Sequence, residues 1–587
     1  MTQGAEFPSL SIADSRRLLG PNFYDTRPGV VLEVRFEDAH GDELLERWLQ
    51  AAQHLARELA WPQPALHVRR ERGGAALFFT APVDALMAAT NVNEQAWVAA
   101  ERGDPLPDPD AVNELRTLVT AEQREHANLA AVYDAAVASG RVVTFDDDAL
   151  TAGVGAGAKT WPLSDVPRLE RVDWRSVVDM PVALVAGSNG KTTTTRLVAA
   201  MWRAAGIAAG WCCSDGVWID GAQVESGDYS GPGGARTVLR DPRVGAAVLE
   251  AARGGILRRG LAVSRADAAI ITNISADHFG EYGIDNLDDL ADAKAVVARA
   301  LQPGGALVLN ADDPVLIELS RRIRVETAWF STASDNQWLQ SHLQAGCDVA
   351  MMIDGRIAVH VNRHWSDFGA VAEMPLTHAA SAHHNIQNLV GATLLGMRLG
   401  IPAAAIRSTL AIFGSQPEDN PGRLHVVHVG GATVLVDYAH NPEGLAALCR
   451  TASRLSARRR ILILGQAGNR GDDQIRALPR AALETLAFDH VVIKELPSML
   501  RGRVLGDVPR IFADELHMLG VAPERITFAD SELAALHAAL TVAEPGDLVV
   551  APTHVSRTAA DMWLASLEAD GWIAGSPLPP VPESPET

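Results

Sequence analysis

The stretch Val182-Ala-Leu-Val-Ala-Gly-Ser-Asn-Gly-Lys-Thr-Thr-Thr-Thr-Arg-Leu-Val-Ala-Ala-Met201 constrains this chain more than any other. Its opening run is short, apolar and partly β-branched, which reads as a buried strand. Gly187, Ser188, Asn189, Gly190, Lys191, Thr192 and Thr193 follow at once, and Leu197, Val198 and Met201 then recur at helical spacing. Strand, glycine loop and helix in that order make a phosphate cradle. The glycines let backbone N–H groups approach oxygens closely, and the helix N-terminus adds partial positive charge. In such a loop Lys191 reaches the β- and γ-phosphates of ATP and the Thr192 hydroxyl faces Mg²⁺. One residue departs from the usual spacing: Val185 stands where a glycine is expected, six residues before the lysine.

The 587 residues suggest about three or four domains, and 47% apolar residues suffice for packed cores. A net charge of −21 argues against a nucleic-acid partner, because the chain lacks the cationic footprint that phosphate backbones need. Four cysteines without a CxxC pair indicate neither a zinc site nor a disulfide framework. The first residues, Met1 to Glu6, have no basic segment or apolar core of a signal peptide, and no run of about 18 apolar residues offers a membrane span. A cytoplasmic protein is the expectation.

In chain order, residues 1–150 read as a small α+β domain. Val30–Phe36 and Ala75–Thr80 are its strands, and a long helix over 111–138 turns Leu115, Leu118, Val119 and Val137 inward. Residues 151–181 read as a connector, with Gly153-Val-Gly-Ala-Gly157 as a flexible or docking loop. Residues 182–415 read as a nucleotide domain with a parallel sheet. Ala246–Glu250 and Ala268–Asn273 are strands ending in polar residues, which puts Glu250, Asn273 and the nearby His278 where ligands collect in open α/β sheets. A helix over 286–301 carries Lys294. After a turn-rich hinge at 416–423, strands at 433–437, 460–464, 490–494 and 547–551 alternate with helices over residues 416–587, the pattern of a Rossmann-like sheet.

The motifs then resemble a family. Gly187–Arg196 looks like the phosphate loop of Mur ligases and folylpolyglutamate synthetases. Leu249-Glu-Ala-Ala-Arg-Gly-Gly255, Thr272-Asn-Ile-Ser-Ala-Asp-His278, His384-Asn-Ile-Gln-Asn388, Asn420-Pro-Gly-Arg423 and Val436-Asp-Tyr-Ala-His-Asn-Pro442 are similar to the Mur-ligase part of cyanophycin synthetases. Leu18–Pro28 also resembles the opening of that family. The large ATP-grasp domain that cyanophycin synthetases carry between these parts is replaced here by roughly thirty connector residues.

The resemblance implies a ligase that activates a carboxylate as an acyl phosphate and joins it to an amine. It implies that Thr192 and Glu250 ligate one Mg²⁺, and that His278 ligates a second together with a carbamylated Lys294. The alternatives are a structural histidine, a strand-end carboxylate and an exposed helix lysine. Asn385 and Asn388 resemble an adenine-binding pair, or else cap a helix. Arg423 and Asp437 resemble the phosphate and ribose contacts of the C-terminal domain. Asp228, Tyr229, Arg253, His440 and Asn441 are the candidate substrate contacts, Arg253 being a clamp for an acidic group. Asp472 and Asp473 read either as a pocket for a cationic amino acid or as a solvated turn, and Lys494, Arg501 and Arg503 as basic surface. The implied substrates are an aspartyl-type carboxylate and an amino acid. The implied partners are a separate ATP-grasp protein and further copies of this chain. The competing readings are a catalytically silent nucleotide-binding subunit and another Mur or folylpolyglutamate-type ligase.

Overall fold

The computed structural model describes residues 10–37, 41–103, 106–277 and 279–581, so His278 lies outside the described residues. Apolar runs and alternating segments sort into four sheets. The N-terminal sheet is antiparallel, in the order Leu10–Leu18, Gly29–Phe36, Gly74–Thr80, Leu66–Glu71. The helices Gly41–Glu58 and Leu86–Glu101 cover one face, with Trp48, Leu55 and Trp97 fully buried. The single helix expected over 111–138 is two, Pro109–Glu125 and Leu129–Ala138. Asn128 breaks it with φ 109°, a conformation that its short polar side chain tolerates, and its amide donates to Val166 O at 2.9 Å. Leu118 and Val137, expected inward, are exposed.

The segment expected as a connector is also structured. Val143–Phe145, Ala149–Ala152 and Lys159–Pro162 pair as an antiparallel sheet, so a strand runs across the boundary expected at residue 150. Arg240 fastens it to the central part through Asp146 at 2.7 Å, Thr151 Oγ1 at 2.9 Å and Ala149 O at 3.0 Å. The loop at 153–157 docks and is mostly buried: a Cβ at Gly155 would lie 2.0 Å from Val244 O.

The central sheet has eleven strands, of which seven are parallel and two antiparallel strands finish each edge. Val182–Ala186 lies in its middle between Ala246–Glu250 and Ala266–Ile271, and every residue of Val182–Ala186 is buried, as a strand covered on both faces requires. The C-terminal sheet has six strands in the order His425–Val429, Ala432–Asp437, Leu548–Pro552, Arg460–Leu464, His490–Lys494, Ile526–Ala529. Five are parallel, and the edge strand His425–Val429 is antiparallel. Both sheets turn the carboxyl ends of strands toward one cleft.

Candidate active site

The glycine loop leaves the central strand at Ala186. Gly187 has φ 143°, and a Cβ there would lie 1.9 Å from Thr272 Oγ1; Gly190 has φ 81°, and a Cβ would lie 2.2 Å from Asn388 Oδ1. Glycine is therefore required at both positions. The loop is held from the next strand end. Ser188 N–H donates to Asn273 O at 2.9 Å and Asn189 N–H to Asn273 Oδ1 at 2.9 Å, while Thr272 Oγ1 donates to Asn189 O at 2.6 Å. From the C-terminal sheet, Asn441 donates to Asn189 Oδ1 at 2.9 Å while capping its own helix at Gly444 N–H.

The helix Lys191–Ala204 starts at the loop's end. Lys191 Nζ donates to Ser188 O at 3.1 Å and lies 4.0 Å from Glu250 Oε1. Thr192 Oγ1 donates to Glu250 Oε2 at 2.8 Å and shares a 3.0 Å hydrogen bond with Ser214 Oγ. Burial pushes the Glu250 carboxyl up, against the pull of Lys191, Thr192 and Arg423. Arg423 crosses from the C-terminal part and donates to Ser214 Oγ at 2.8 Å. Its guanidinium lies 4.2 Å from the centre of the Tyr438 ring, and Arg557 lies 4.9 Å from the same ring. Asp215 sits among Arg557 at 2.5 Å, Arg196 at 3.6 Å and Arg423 at 4.0 Å. Burial works against its charge, yet these guanidiniums hold the carboxyl below its ordinary value.

Lys294 is not an exposed helix lysine. It is 5% exposed, and Nζ donates to Gly187 O at 2.8 Å. Burial first, then the charges of Lys191 and Arg253, bring its amine down to about 7 against the opposing pull of Asp277 and Glu250. Asn385 and Asn388 are buried one helical turn apart; Asn388 donates to Asn385 Oδ1 at 3.3 Å and Asn385 to Leu376 O at 3.0 Å. They lie inside the helix His383–Arg398, whose N-cap is Ala382, so they do not cap it.

These groups open onto one cavity of about 940 Å³. Of the residues singled out in the sequence, Ser188, Asn189, Gly190, Lys191, Thr192, Thr193, Asp228, Tyr229, Glu250, Arg253, Asn273, Lys294, Asn385, Asn388, Arg423, Asp437 and His440 line it. Gly187 and Asn441 stand just behind the loop through the contacts above. Buried Arg253 pairs with Glu281, whose other carboxyl oxygen accepts from Asn469 at 3.3 Å. Asp277 pairs with Arg470 at 3.0 Å and with His440 Nε2 at 3.6 Å. Asp228 accepts from Ser230 Oγ at 2.6 Å.

Two expectations change and one open choice is decided against a pocket. Asp472 is spent on Arg503 at 2.7 Å, and neither Asp472 nor Asp473 lines the cavity. Lys494 is wholly buried rather than on a basic surface. Arg501 faces the cavity. Ser214, Asp215, Glu281, Arg470 and Arg557 were not singled out. Ser214 and Asp215 follow the carboxyl end of Ala209–Cys213, and Arg557 follows that of Leu548–Pro552, so the strand-end rule applied to every strand would have found them.

The family model for the Mur ligase middle domain matches residues 185–396, and that for the Mur ligase glutamate ligase domain matches 422–552, together more than half of the chain. The chain belongs to the Mur ligase family. Cyanophycin synthetase from Nostoc sp. is 36% identical over 384 residues, 64% of this chain and 42% of that protein. The chain thus spans about two fifths of the length of the cyanophycin synthetases it matches. UDP-N-acetylmuramoyl-L-alanyl-D-glutamate–2,6-diaminopimelate ligase from Geobacter sulfurreducens is 28% identical, over 63% of this chain and 73% of that one. Among solved structures, Mycobacterium tuberculosis folylpolyglutamate synthase complexed with ADP is 20% identical with a TM-score of 0.48, covering 66% of this chain and 90% of that one. No helix among the described residues is long and apolar enough to cross a membrane.

Proposed function

We propose that this Mur ligase is an ATP-dependent amide ligase that joins an aspartyl-type carboxylate to an amino acid. The observation that carries this reading is the convergence of Lys191, Thr192 and Glu250 from the central sheet with Arg423 from the C-terminal sheet. This is a phosphate loop closed by a guanidinium, and it lies in the same cavity as a buried amine. An amine cannot displace oxide from a carboxylate at neutral pH. The γ-phosphoryl of ATP therefore passes to the acceptor oxygen as ADP departs, the neutral amine attacks the acyl phosphate carbonyl, and the tetrahedral adduct gives up its N–H proton to solvent and expels phosphate to leave the amide.

The chain's own groups would position and neutralise charge in these steps. The loop N–H groups and Lys191 hold the β- and γ-phosphates. Arg423, fixed by Ser214 and Tyr438, offsets charge on the phosphoryl group in flight. Asn385 and Asn388 take the adenine end and Asp437 the ribose. Arg253, with Glu281 and His440 around it, holds the acceptor carboxylate beside Asp228 and Tyr229. Contact between the two sheets through Asn441, Arg470 and Arg557 excludes water from the acyl phosphate.

Thr192 and Glu250 suit Mg²⁺, since both offer hard oxygens 2.8 Å apart. No group of three or more His, Cys, Asp or Glu stands ready for a metal among the described residues, which fits an ion completed by phosphate oxygens and water. The ion would supply neutralisation of phosphate charge. His278 and a carbamylated Lys294 remain the proposed holders of a second ion. An amine brought down to about 7 has a substantial neutral fraction at neutral pH, where an ordinary lysine has almost none, and the neutral form is the one that adds to CO₂. We also propose a separate ATP-grasp partner and a homo-oligomer, on the likeness to the cyanophycin synthetases.

The test is ATP-dependent phosphate release with Mg²⁺ and bicarbonate. Aspartate, aspartyl peptides and a cyanophycin primer serve as acceptors against a panel of amino acids, with product masses measured. Release that needs one acceptor–amine pair and yields the amide mass supports the reading. Failure to bind ATP overturns it.

A further inference from the structure

No residue of the N-terminal sheet lines the cavity, yet that sheet is built against both elements that form its acceptor end. The first is the helix Arg253–Arg259. Leu19 N–H donates to Arg259 O and Leu261 N–H to Pro21 O, each at 2.8 Å, and a Cβ at Gly20 would lie 2.3 Å from Leu261 O. Arg16, 7% exposed, sends Nε to Leu257 O at 3.2 Å. It is paired with Glu33 at 2.8 Å and Asp14 at 2.5 Å, and lies 4.9 Å from the Tyr282 ring centre. A cation on the last carbonyls of a helix meets the negative end of its dipole.

The second element is the loop at 279–284. Arg69 donates to Tyr282 O at 2.9 Å and to Gly283 O, and pairs with Asp289 at 3.2 Å. Tyr282 is held at φ 54°, which a tyrosine adopts only under constraint, and its hydroxyl accepts from Arg258 at 3.0 Å. Arg16 thus grips the far end of the helix that begins with Arg253, and Arg69 grips the loop that carries Glu281. Arg253 and Glu281 are paired with each other in the cavity. Ser188 and Asn189 of the phosphate loop are fastened elsewhere, to Thr272, Asn273 and Asn441, while Gly187 O accepts from Lys294 of the helix Leu287–Ala295, whose first turn Arg69 meets at Asp289.

We propose that Arg16 and Arg69 are positioning residues for the acceptor carboxylate. Through them the N-terminal sheet buttresses the acceptor end of the cavity and leaves the nucleotide end alone. This rests on the reading of Arg253 as the acceptor clamp.

The test uses the full chain with Arg16→Met, Arg16→Lys and Arg69→Gln, read by hydrogen exchange and by phosphate release against acceptor and ATP separately. Exchange is expected to rise at 256–261 in Arg16→Met and at 280–284 in Arg69→Gln, with 188–196 unchanged. The acceptor KM is expected to rise on the order of tenfold while the ATP KM stays within about twofold, with partial recovery in Arg16→Lys. Unchanged exchange at both segments, or acceptor and ATP KM rising in step, overturns the proposal. If Arg16→Met does not fold, Arg69→Gln, at a side chain 15% exposed, carries the test alone. If the wild-type chain fails to bind ATP, the ligase reading fails on its own, and the exchange result alone decides the buttress.

Discussion

Each of the two large sheets buries one lysine, and the two are treated in opposite ways. Lys494, at the end of the C-terminal strand His490–Lys494, is 0% exposed; its ammonium meets Glu532 and, at 2.5 Å, Pro552 O. Glu532 in turn accepts from the N–H groups of His554, Val555 and Ser556 at 2.7–2.8 Å, so the pair fixes the turn that leads to Arg557. Lys294, in the helix Leu287–Ala295, has a backbone carbonyl as its hydrogen-bond partner and cations among its near neighbours. Burial lowers both amines; Glu532 opposes it at Lys494, while at Lys294 the cations Lys191 and Arg253 add to it and the carboxylates Asp277 and Glu250 oppose it. A buried amine with its own carboxylate is architecture. A buried amine whose hydrogen-bond partner is a backbone carbonyl is the one proposed for chemistry.

The largest expected effect breaks the chemical member. Lys294→Met should cut ligase turnover by roughly a hundredfold to a thousandfold, with ADP affinity retained and a melting temperature no lower than the wild type's. Steady-state phosphate release, calorimetric ADP binding and a thermal melt check this. A variant that unfolds instead would make Lys294 structural. The architectural member should behave in the reverse way. Lys494→Met leaves Glu532 buried without its cation and should cost about 3–5 kcal/mol, read by urea denaturation. The double change Lys494→Met/Glu532→Gln should recover part of that loss. A Lys494→Met chain of undiminished stability would remove the contrast.

A smaller effect sharpens the chemical side. Arg253→Lys keeps the charge beside Lys294 but loses the planar fork, so the acceptor KM should rise about tenfold with the ATP KM unchanged. Acceptor titrations at saturating ATP measure it. An ATP KM that moves instead would place Arg253 at the nucleotide.

What could be read beforehand follows from how each feature is spaced along the chain. The phosphate loop is contiguous: strand, glycines, lysine and helix fall within twenty residues, and each imposes its own local pattern. The middle strands of both large sheets were legible for the same reason, since apolar runs flanked by turns are local; the outer strands of the central sheet, and His425–Val429 and Ile526–Ala529, were not read. The three-stranded sheet at 143–162 was not, because its strands are only three or four residues long. The break at Asn128 was hidden by an apolar period that continues across it. Asp215 and Arg557 are 342 positions apart, and only the packing of one sheet against the other reveals that they meet. Burial was likewise invisible: the helical spacing of Lys294 and the strand-end position of Lys494 do not say which amine finds a carboxylate.

The finest expected effect tests that difference through pH. Lys294 titrates near 7 in the folded chain and near 10.5 when exposed. Between those values the unfolded chain binds the proton and the folded chain does not, so this residue's contribution to stability rises with pH across the window. Below about pH 7 both states are protonated, and the full cost of burying an ammonium among cations is present. Lys294→Met never bears that cost. Its melting temperature should therefore exceed the wild type's most at pH 6, by a few degrees at most for a chain of this size, and the gap should close as pH approaches 10. Groups away from Lys294 titrate alike in both proteins and cancel in the difference, whereas Lys191, Asp277, Arg253 and Glu250 interact with it directly. A gap that stays flat from pH 6 to 10 would mean that Lys294 keeps its proton as an ordinary lysine does, and the two buried amines would then differ in their partners but not in their charge.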